Sequence, residues 1–347
     1  MSVRAALDLL RPRVVRTPLL ESPLLNELVS SRRGVRRARI FVKAESLQHT
    51  GAFKFRGALH KLLSMDEETR ARGVCAFSSG NFAQALALAA QKTGVACTII
   101  APHDAPEIKM ERTRGYGAQV VFSTPSAGEN REVAAARLAE QYSIDAGCTL
   151  LHPFDDHDVI LGQGTLALEL FEQFDAMVDP AISAVAGDHA SPPHLKRLLV
   201  PTGGGGMASG CCLARDVASP RTEVWAIEPA GYDDHKTSLA RGERTPLTGM
   251  PASTICDALQ ASAPGHLTFA ITGGANGLAG AVALSDDAVK EAMSVAFDAL
   301  KLVLEPSGAL GIAAMLSEET PLANDDCVAV VACGGNVALA DFRRLLA

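Results

Sequence analysis

Short apolar runs alternate along the chain with segments whose apolar residues recur at helical spacing. The first three pairs are GVCAFSS with NFAQALALAAQKTG, ACTIIAP with APEIKMERTRGYG, and AQVVFS with AGENREVAAARLAEQY. The alternation resumes at RLLVPT, EVWAIEP and AVVACGGN. Such alternation is typical of β–α units on parallel sheets, because each crossover between parallel strands needs a helix. The pattern therefore predicts an α/β fold with two parallel sheets.

Two segments interrupt this pattern. Residues 179–197, DPAISAVAGDHASPPHLKR, are rich in Ala, Pro, Ser and Asp, which predicts an exposed loop. Residues 31–39, SRRGVRRAR, are basic and lie between a helix-like and a strand-like segment. We expect a solvated loop there. Binding of nucleic acid by these arginines remains an alternative, and its sign would be salt-dependent affinity.

Length and charge restrict the class of protein. The chain has 347 residues, 48% of them hydrophobic, which is enough for two lobes with cores of their own. Its net charge of -7 argues against general affinity for nucleic acids or anionic membranes. No apolar run approaches the ~18 residues of a membrane span. The eight cysteines show no C-x-x-C spacing and the nine histidines no zinc-site spacing, so we expect reduced thiols, a cytoplasmic location and no zinc.

The stretch HTGAFKFRGALHKL contains the first candidate for chemistry. It places Lys54 between Phe53 and Phe55 at the predicted start of a helix. Aromatic neighbours desolvate an amine and favour its neutral form, which is a nucleophile toward carbonyls. The alternative is a solvated lysine on an amphipathic helix, since apolar residues also recur here at helical spacing.

A glycine-rich loop is the strongest local signal. In LLVPTGGGGMASG, four glycines, 203–206, separate an apolar strand from a helix start. Glycines allow close backbone approach to a phosphate, and the helix N-terminus offers unpaired amides. No G-K-[ST] follows, so the loop is not a Walker A motif. A rival interpretation is a dinucleotide-binding G-x-G-x-x-A, with Glu228 after the next strand as the ribose-binding acid.

Two polar turns favour a different ligand. SSGNFAQ (78–84) and CGGN (333–336) each follow an apolar strand, so both are expected at the carboxyl ends of strands, where doubly wound sheets bind ligands. The dinucleotide interpretation gives neither turn a role. A phosphate cradle, a reactive amine and polar turns together suit pyridoxal phosphate.

The chain resembles the serine/threonine dehydratase and serine racemase family of fold type II pyridoxal-phosphate enzymes. The resembling segments occur in family order and cover nearly the whole chain: RTPLLESPLL, FKFRGA, SSGNFAQALA, APEIKMERTRGYGAQVV, HPFDDHDVILGQGTLALEL, PTGGGGMASG, EPAGYDD, EPSGALGIAA and CGGN. The resemblance implies two open twisted parallel-sheet lobes with the cofactor in the cleft between them. The large cofactor-binding domain would comprise residues 1–48 and 149–347, and residues 49–148 would form a small mobile domain. We also expect a homodimer.

The resemblance assigns roles to individual residues. Lys54 would be the Schiff-base lysine, with Asn81 bonding the ring hydroxyl and Cys333 facing the pyridine nitrogen. The remaining cofactor-binding residues are Phe53, Gly203, Gly204, Gly205, Gly206 and Met207. Ser79 would be the second acid/base, on the face opposite the lysine. Substrate binding is assigned to Ser78, Ser79, Asn81, Phe82 and Arg131. Glu228, Asp234 and the Tyr232 carbonyl would bind Mg²⁺ or Ca²⁺.

Two positions depart from the family pattern. Cys333 stands where serine is common, but a thiol is also a neutral partner that leaves the ring nitrogen largely unprotonated, which favours β-elimination over a long-lived carbanion. Phe82 stands where histidine is common. Phenylalanine cannot donate a hydrogen bond and makes nearby charge costlier to desolvate. We therefore expect threonine, serine or a less polar substrate to be preferred over 3-hydroxyaspartate.

The function implied by the resemblance is dehydration of a β-hydroxy amino acid, such as L-threonine or L-serine, to a 2-keto acid and ammonia. Neutral Lys54 would remove the α-proton before the hydroxyl leaves. A serine racemase with side dehydratase activity and a 3-hydroxyaspartate dehydratase are alternatives within the family. A nicotinamide-dependent oxidoreductase is the remote one.

Overall fold

The computed structural model describes residues 1–105, 107–126, 131–178, 193–249 and 253–347, apart from the side chains of Ile108 and Glu132. Within these ranges the strands form one six-stranded and one four-stranded sheet. The fold is the predicted α/β arrangement with two parallel sheets, since β1 and β2 are the one antiparallel pair among the described strands. No helix in these ranges combines the length and apolarity that crossing a bilayer requires.

The strands of the larger sheet come from both ends of the chain. They are β1 (Leu19–Glu21), β2 (Arg39–Lys43), β7 (Leu195–Pro201), β8 (Glu223–Pro229), β9 (Gly280–Leu284) and β10 (Cys327–Val331), in the spatial order β1-β2-β10-β7-β8-β9. The smaller sheet is local in sequence. Its strands are β3 (Val74–Phe77), β4 (Cys97–Pro102), β5 (Gln119–Ser123) and β6 (Thr149–Leu150), in the order β5-β4-β3-β6.

Helices connect the strands and cover both sheets. Those in the described ranges are α1 (Val3–Leu10), α2 (Pro23–Arg33), α3 (Lys54–Ser64), α4 (Glu67–Ala71), α5 (Asn81–Thr93), α6 (Glu107–Gly115), α7 (Arg131–Ala146), α8 (His157–Met177), α9 (Gly206–Ala218), α10 (Asp234–Arg241), α11 (His266–Thr272), α12 (Asp286–Val295), α13 (Pro306–Leu316) and α14 (Leu339–Leu346). Local chemistry sets many of their ends. Asp156 accepts the amide of Val159 at the start of α8, and Gly94 ends α5 in the left-handed conformation at φ 69°.

The central strand β10 is apolar at every position, rather than at alternate positions. Val328 and Val330 pack on one side of the large sheet with α12 and α13, whereas Ala329 and Val331 pack on the other side with α8 and α9. A strand that is buried on both faces has no polar side. A separate core, formed mainly by α3, α5 and β3, underlies the small sheet.

Two sequence expectations about loops need correction. The loop predicted over 179–197 is too long, because β7 begins at Leu195, which is buried and pairs with Cys327 of β10. Residues 179–192 of that prediction lie outside the described ranges. The basic loop over 31–39 is also too long, because α2 continues to Arg33 and β2 begins at Arg39.

Three of the five arginines of this basic segment pair with acidic side chains. Arg32 pairs with Glu291 at 2.6 Å, Arg37 with Asp325 at 2.6 Å and Arg39 with Glu21 at 2.7 Å. These ion pairs balance the positive charges of the three arginines at the protein surface.

Candidate active site

The start of α3 is fixed to the turn that follows β10. The Phe53 amide donates to the Cys333 carbonyl at 3.0 Å, and Ala52 forms a β-bridge with Gly334. Lys54 is the first residue of α3, directly after this attachment. The candidate nucleophile and the CGGN turn are thus joined through the backbone, although they are far apart in the sequence.

The Lys54 amine lies among aromatic rings and one carbonyl. Its Nζ donates to the Pro153 carbonyl at 2.8 Å and lies 5.2 Å and 5.8 Å from the ring centroids of Phe53 and Phe82. Burial lowers the pKa of Lys54 from 10.5 to about 8, because little solvent remains to stabilise the charge. Near neutral pH this amine has a larger neutral fraction than an ordinary lysine.

The asparagine turn meets the CGGN turn through side chains. Asn81, the first residue of α5, donates from Nδ2 to Glu305 Oε1 at 2.6 Å, and its Oδ1 accepts from Asn336 Nδ2 at 2.8 Å. An amide nitrogen carries two hydrogens, so one remains for a cofactor hydroxyl. Ser78 and Ser79 precede this residue and are half-buried.

Glu305 is a site residue that the sequence reasoning missed. It immediately precedes α13, is buried, and lies so close to Gly334 that any side chain there would collide with its carboxyl. Burial raises the pKa of Glu305 to about 7, and the Asn81 hydrogen bond opposes the rise only partly. The available signal was one acidic residue in the otherwise apolar stretch LVLEPSGALGIAA.

The glycine loop leads directly into the start of a helix, which is the arrangement that an anion site of this kind needs. Gly205 caps the 13-residue helix α9 with φ 95°, and the first amides of a helix have no intrahelical acceptors. A Cβ on Gly204 would collide with the Phe154 ring, and one on Gly206 would lie 2.9 Å from Phe154 Cβ. Phe154 follows Pro153, the residue that binds Lys54. The loop is therefore a side-chain-free cradle beside the amine, and its amides fit the phosphate of pyridoxal phosphate.

Cys333 and Met207 are buried beside this cleft. Burial raises the pKa of the Cys333 thiol well above its ordinary value, and Sγ donates to the Ser307 carbonyl at 3.5 Å. The group is therefore a neutral thiol. Its predicted contact with the ring nitrogen remains a prediction.

Phe82 and Arg131 occupy different surroundings. Phe82 is 2% exposed and packs in the core of the small sheet, while its ring also faces the Lys54 amine. Arg131 begins α7 and pairs at 2.7 Å with Asp104, which follows β4. It thus lies beyond the carboxyl end of the small sheet. The contact of Arg131 with substrate stays a prediction.

The candidate cation site lies between β8 and α10. Glu228 and Asp234 are both fully buried, and the Glu228 carboxylate accepts the amides of His235 and Lys236 at 2.8 and 2.9 Å. Burial, together with Asp234, raises the pKa of Glu228, and burial raises that of Asp234 to about 7. Neither Asp234 oxygen has a hydrogen-bond partner among the described residues. Two buried carboxylates, of which Asp234 has both oxygens without a hydrogen-bond partner, fit a divalent cation.

Comparison with known proteins places this site in a family. The family model described as "Pyridoxal-phosphate dependent enzyme" matches residues 10–334. A serine racemase of Dictyostelium discoideum is 36% identical, over 95% of this chain and 92% of that protein. An L-threo-3-hydroxyaspartate ammonia-lyase of Saccharomyces cerevisiae is 34% identical, over 96% of this chain and 91% of that protein.

A solved structure supports the same assignment. The T.th. threonine deaminase superposes with a TM-score of 0.81 at 37% sequence identity, covering 97% of this chain and 98% of that one. The remote nicotinamide interpretation is thereby replaced, since the family match includes the glycine loop. The chain has the fold of the fold type II enzymes and belongs to the family of pyridoxal-phosphate dependent enzymes.

Proposed function

We propose that this enzyme is an ammonia-lyase that converts a β-hydroxy amino acid, such as L-threonine or L-serine, to a 2-keto acid and ammonia. The observation that carries the proposal is the Lys54 amine, with a pKa of about 8, at the point where the glycine cradle and two polar turns meet. The similarity to a threonine deaminase and to an ammonia-lyase supports this choice.

When bound, pyridoxal phosphate withdraws electrons from the α-carbon of an amino acid and so makes its proton removable. The amides of 203–207 would hold its phosphate, and the neutral Cys333 thiol would contact its ring nitrogen. Neutral Lys54 Nζ would accept the α-proton. Phe53 and Phe82 line the amine and exclude water from it, which favours this neutral form.

Substrate binding is proposed for the turn that opens α5. The hydroxyls of Ser78 and Ser79 and the amides beside them would bind the α-carboxylate, because helix N-terminal donors favour an anion. Phe82 would form an apolar wall, and Arg131 would lie toward the outer end of the substrate.

The cation in this proposal is Mg²⁺ or Ca²⁺, held by Glu228, Asp234 and the Tyr232 carbonyl. The unpaired oxygens of buried Asp234 support a cation at this place. Oxygen ligands are those that both ions prefer. Bound there, the ion would order the segment between β8 and α10, beside the glycine cradle.

Racemisation of the same amino acid is the second candidate. It is favoured by Ser79, whose side chain sits in the turn and is half-buried, and by the similarity to a serine racemase. Ser79 Oγ would return a proton on the face opposite Lys54. Replacement Ser79→Ala is expected to impair racemisation more than dehydration of the L-substrate, and equal losses would count against two proton carriers.

Assembly and domain movement are part of the proposal. Exposed apolar side chains around the CGGN turn and α14, namely Leu47, Phe297, Val303 and Leu339, support a homodimer. Residues 49–148 would move as a small domain against 1–48 and 149–347, and the 2.7 Å pair between Lys109 of α6 and Asp257 would bridge the two. The eight free cysteines support a reducing, cytoplasmic location.

The proposed activity is tested with purified protein and a panel of β-hydroxy amino acids, scoring keto acid and inverted enantiomer together. Lys54→Ala should abolish turnover but keep part of the phosphate-anchored cofactor binding. Borohydride reduction of the loaded protein, followed by peptide mapping, should label Lys54. Label on another lysine, or a panel without any keto acid or inversion, would overturn the proposal.

A further inference from the structure

The imidazole of His235 lies beside the two carboxylates of the proposed cation site. Its ring is 0% exposed, and neither ring nitrogen has a hydrogen-bond partner among the described residues. Nδ1 lies 3.7 Å from Glu228 Oε1 and 3.7 Å from Asp234 Oδ2. These separations are too long for hydrogen bonds. Something other than a direct contact must satisfy these polar atoms.

The distances suit three atoms that share one ion. One ligand atom from each of Glu228, Asp234 and His235 lies within 4.8 Å of the others. Atoms that bind one ion at about 2.1 Å stand about 3 to 3.5 Å apart. A contraction of a few tenths of an ångström would therefore bring Nδ1 to the spacing that ligands of one ion have, relative to each of the two carboxylates.

Within the part of the chain that the structure describes, no lysine or arginine takes the place of an ion at these carboxylates. Among the described residues, neither Glu228 nor Asp234 forms an ion pair with a lysine or an arginine. The basic group near both carboxylates is the His235 imidazole, whose Nδ1 lies 3.7 Å from each. Unpaired buried polar atoms are costly, and this cluster contains both oxygens of Asp234 and both nitrogens of His235. A cation bound to Nδ1 and Asp234 would satisfy most of them.

We propose that His235 Nδ1 is an additional ligand at this site, and that the site consequently prefers a first-row transition dication such as Mn²⁺ over Mg²⁺ and Ca²⁺. The inference rests on the proposed cation site and changes its ion. Mg²⁺ and Ca²⁺ favour oxygen ligands, whereas imidazole favours transition ions. This ligand has no signal in the sequence, because one histidine after an aspartate has no recognised metal-site spacing.

The same ring connects the ion to the cofactor cradle. A Cβ on Gly205 would lie 2.7 Å from His235 Nε2, so the ring packs directly against the loop. Coordination through Nδ1 would hold Nε2 and the ring in this position. The ion would thus fix one wall of the glycine loop through a single side chain.

The test uses the full-length holoenzyme, stripped of metal with a chelator and reloaded with Mn²⁺. Pulsed electron paramagnetic resonance should detect a nitrogen coupled to the bound Mn²⁺, and labelling the histidines with ¹⁵N should change this signal. His235→Asn should remove the signal and lower the Mn²⁺-over-Ca²⁺ affinity ratio about tenfold, because it replaces nitrogen by oxygen. The control His157→Asn alters an exposed histidine at the start of α8 and should change neither quantity.

The outcomes separate this inference from the site on which it rests. Mn²⁺ that binds in an Asp234-dependent manner but shows no histidine coupling would overturn the role of His235 and leave an all-oxygen site. Failure of Mn²⁺, Mg²⁺ and Ca²⁺ alike to bind would overturn both. A histidine signal that persists in folded His235→Asn would also overturn the assignment. Should that variant not fold, the ¹⁵N-labelled wild-type spectrum still decides.

Discussion

A lysine amine is normally protonated near neutral pH, and Lys54 departs from this because protein replaces the water around it. The reaction of pyridoxal, without phosphate, with the cofactor-free protein should reach half its maximal rate near pH 8, the pKa of Lys54. The rate rises with pH because the neutral amine is the nucleophile. Stopped-flow absorbance with peptide mapping measures it, and Lys54→Ala is the control. A rate that keeps rising to about pH 10, as for an ordinary lysine, would contradict the assigned pKa.

Phe82 packs in the core of the small sheet and also faces the Lys54 amine, so its replacement tests its proposed role in specificity. Phe82→His should raise kcat/KM for 3-hydroxyaspartate relative to threonine by roughly tenfold, because a hydrogen-bond donor then faces the second carboxylate. Phe82→Leu is the matched control, since it removes the aromatic ring without adding a hydrogen-bond donor. Steady-state kinetics on both substrates give the ranking. An unchanged ranking in Phe82→His would mean that Phe82 only packs.

At the scale of elements, we expect cofactor binding by the strand–loop–helix unit β7–α9 to depend on how closely the glycine loop packs against its neighbours, as well as on the backbone conformation of the loop. Gly205→Ala should weaken cofactor affinity about tenfold or more, because a Cβ would push on His235 at a φ of 95° and reorient the amides. Gly242 separates the two causes, since it has φ 70° with nothing within 4 Å of its Cβ position. Gly242→Ala should cost only about 1 kcal/mol of stability and leave affinity unchanged.

Titration of both variants with pyridoxal phosphate, followed by fluorescence, compares the affinities. Equal losses in the two variants would show that strain alone, rather than the crowded cradle, controls binding.

Helix α3, which carries Lys54, packs closely against helix α8. A Cβ on Gly162 of α8 would lie 2.7 Å from the Arg56 carbonyl of α3, so the two backbones nearly touch. The position of Lys54 therefore depends on α8 as directly as on its own sequence.

At the scale of the whole molecule, a buried network of charges joins three separate segments, namely the end of β2, helix α3 and helix α8. Arg56 of α3 bonds Glu45, after β2, at 2.8 Å and Glu169 of α8 at 2.8 Å, while Lys43 of β2 pairs with Glu169 at 3.1 Å. All four side chains are buried. Burial alone would raise the pKa of Glu45, but Arg56 overcomes this and lowers it.

Arg56→Met should destabilise the protein by about 3–5 kcal/mol, because it leaves two buried carboxylates short of a partner. Arg72→Met removes an exposed pair with Glu68 and should cost less than about 1 kcal/mol. Denaturant unfolding measures both. Because the pKa of Glu45 is lowered in the folded state, its ionised carboxylate stabilises the wild type above pH 4.5. This stabilisation is lost as the pH falls through the lowered pKa of the folded state. The Arg56→Met deficit should therefore narrow in acid, and a pH-independent deficit would contradict this account.

Features that depend on local chemistry could be predicted from the sequence. Alternating apolar runs predicted the two parallel sheets, and Lys54 was predicted at the start of a helix, as the structure has it. The glycine loop could be recognised because four adjacent glycines have few uses other than close backbone approach. Loop ends were less certain, as the early start of β7 shows, because strand pairing with β10 decided it.

Contacts between residues that are far apart in the sequence are seen only in the folded structure. Asn81 and Glu305 are separated by 224 positions, and Asn81 and Asn336 by 255, yet their side chains share hydrogen bonds. His235 meets the glycine loop, and Arg56 meets Glu169, for the same reason. Sheet order and helix packing bring such pairs together, and neither is encoded in the spacing around a single residue. The buried environment that lowers the pKa of Lys54 arises in this way too.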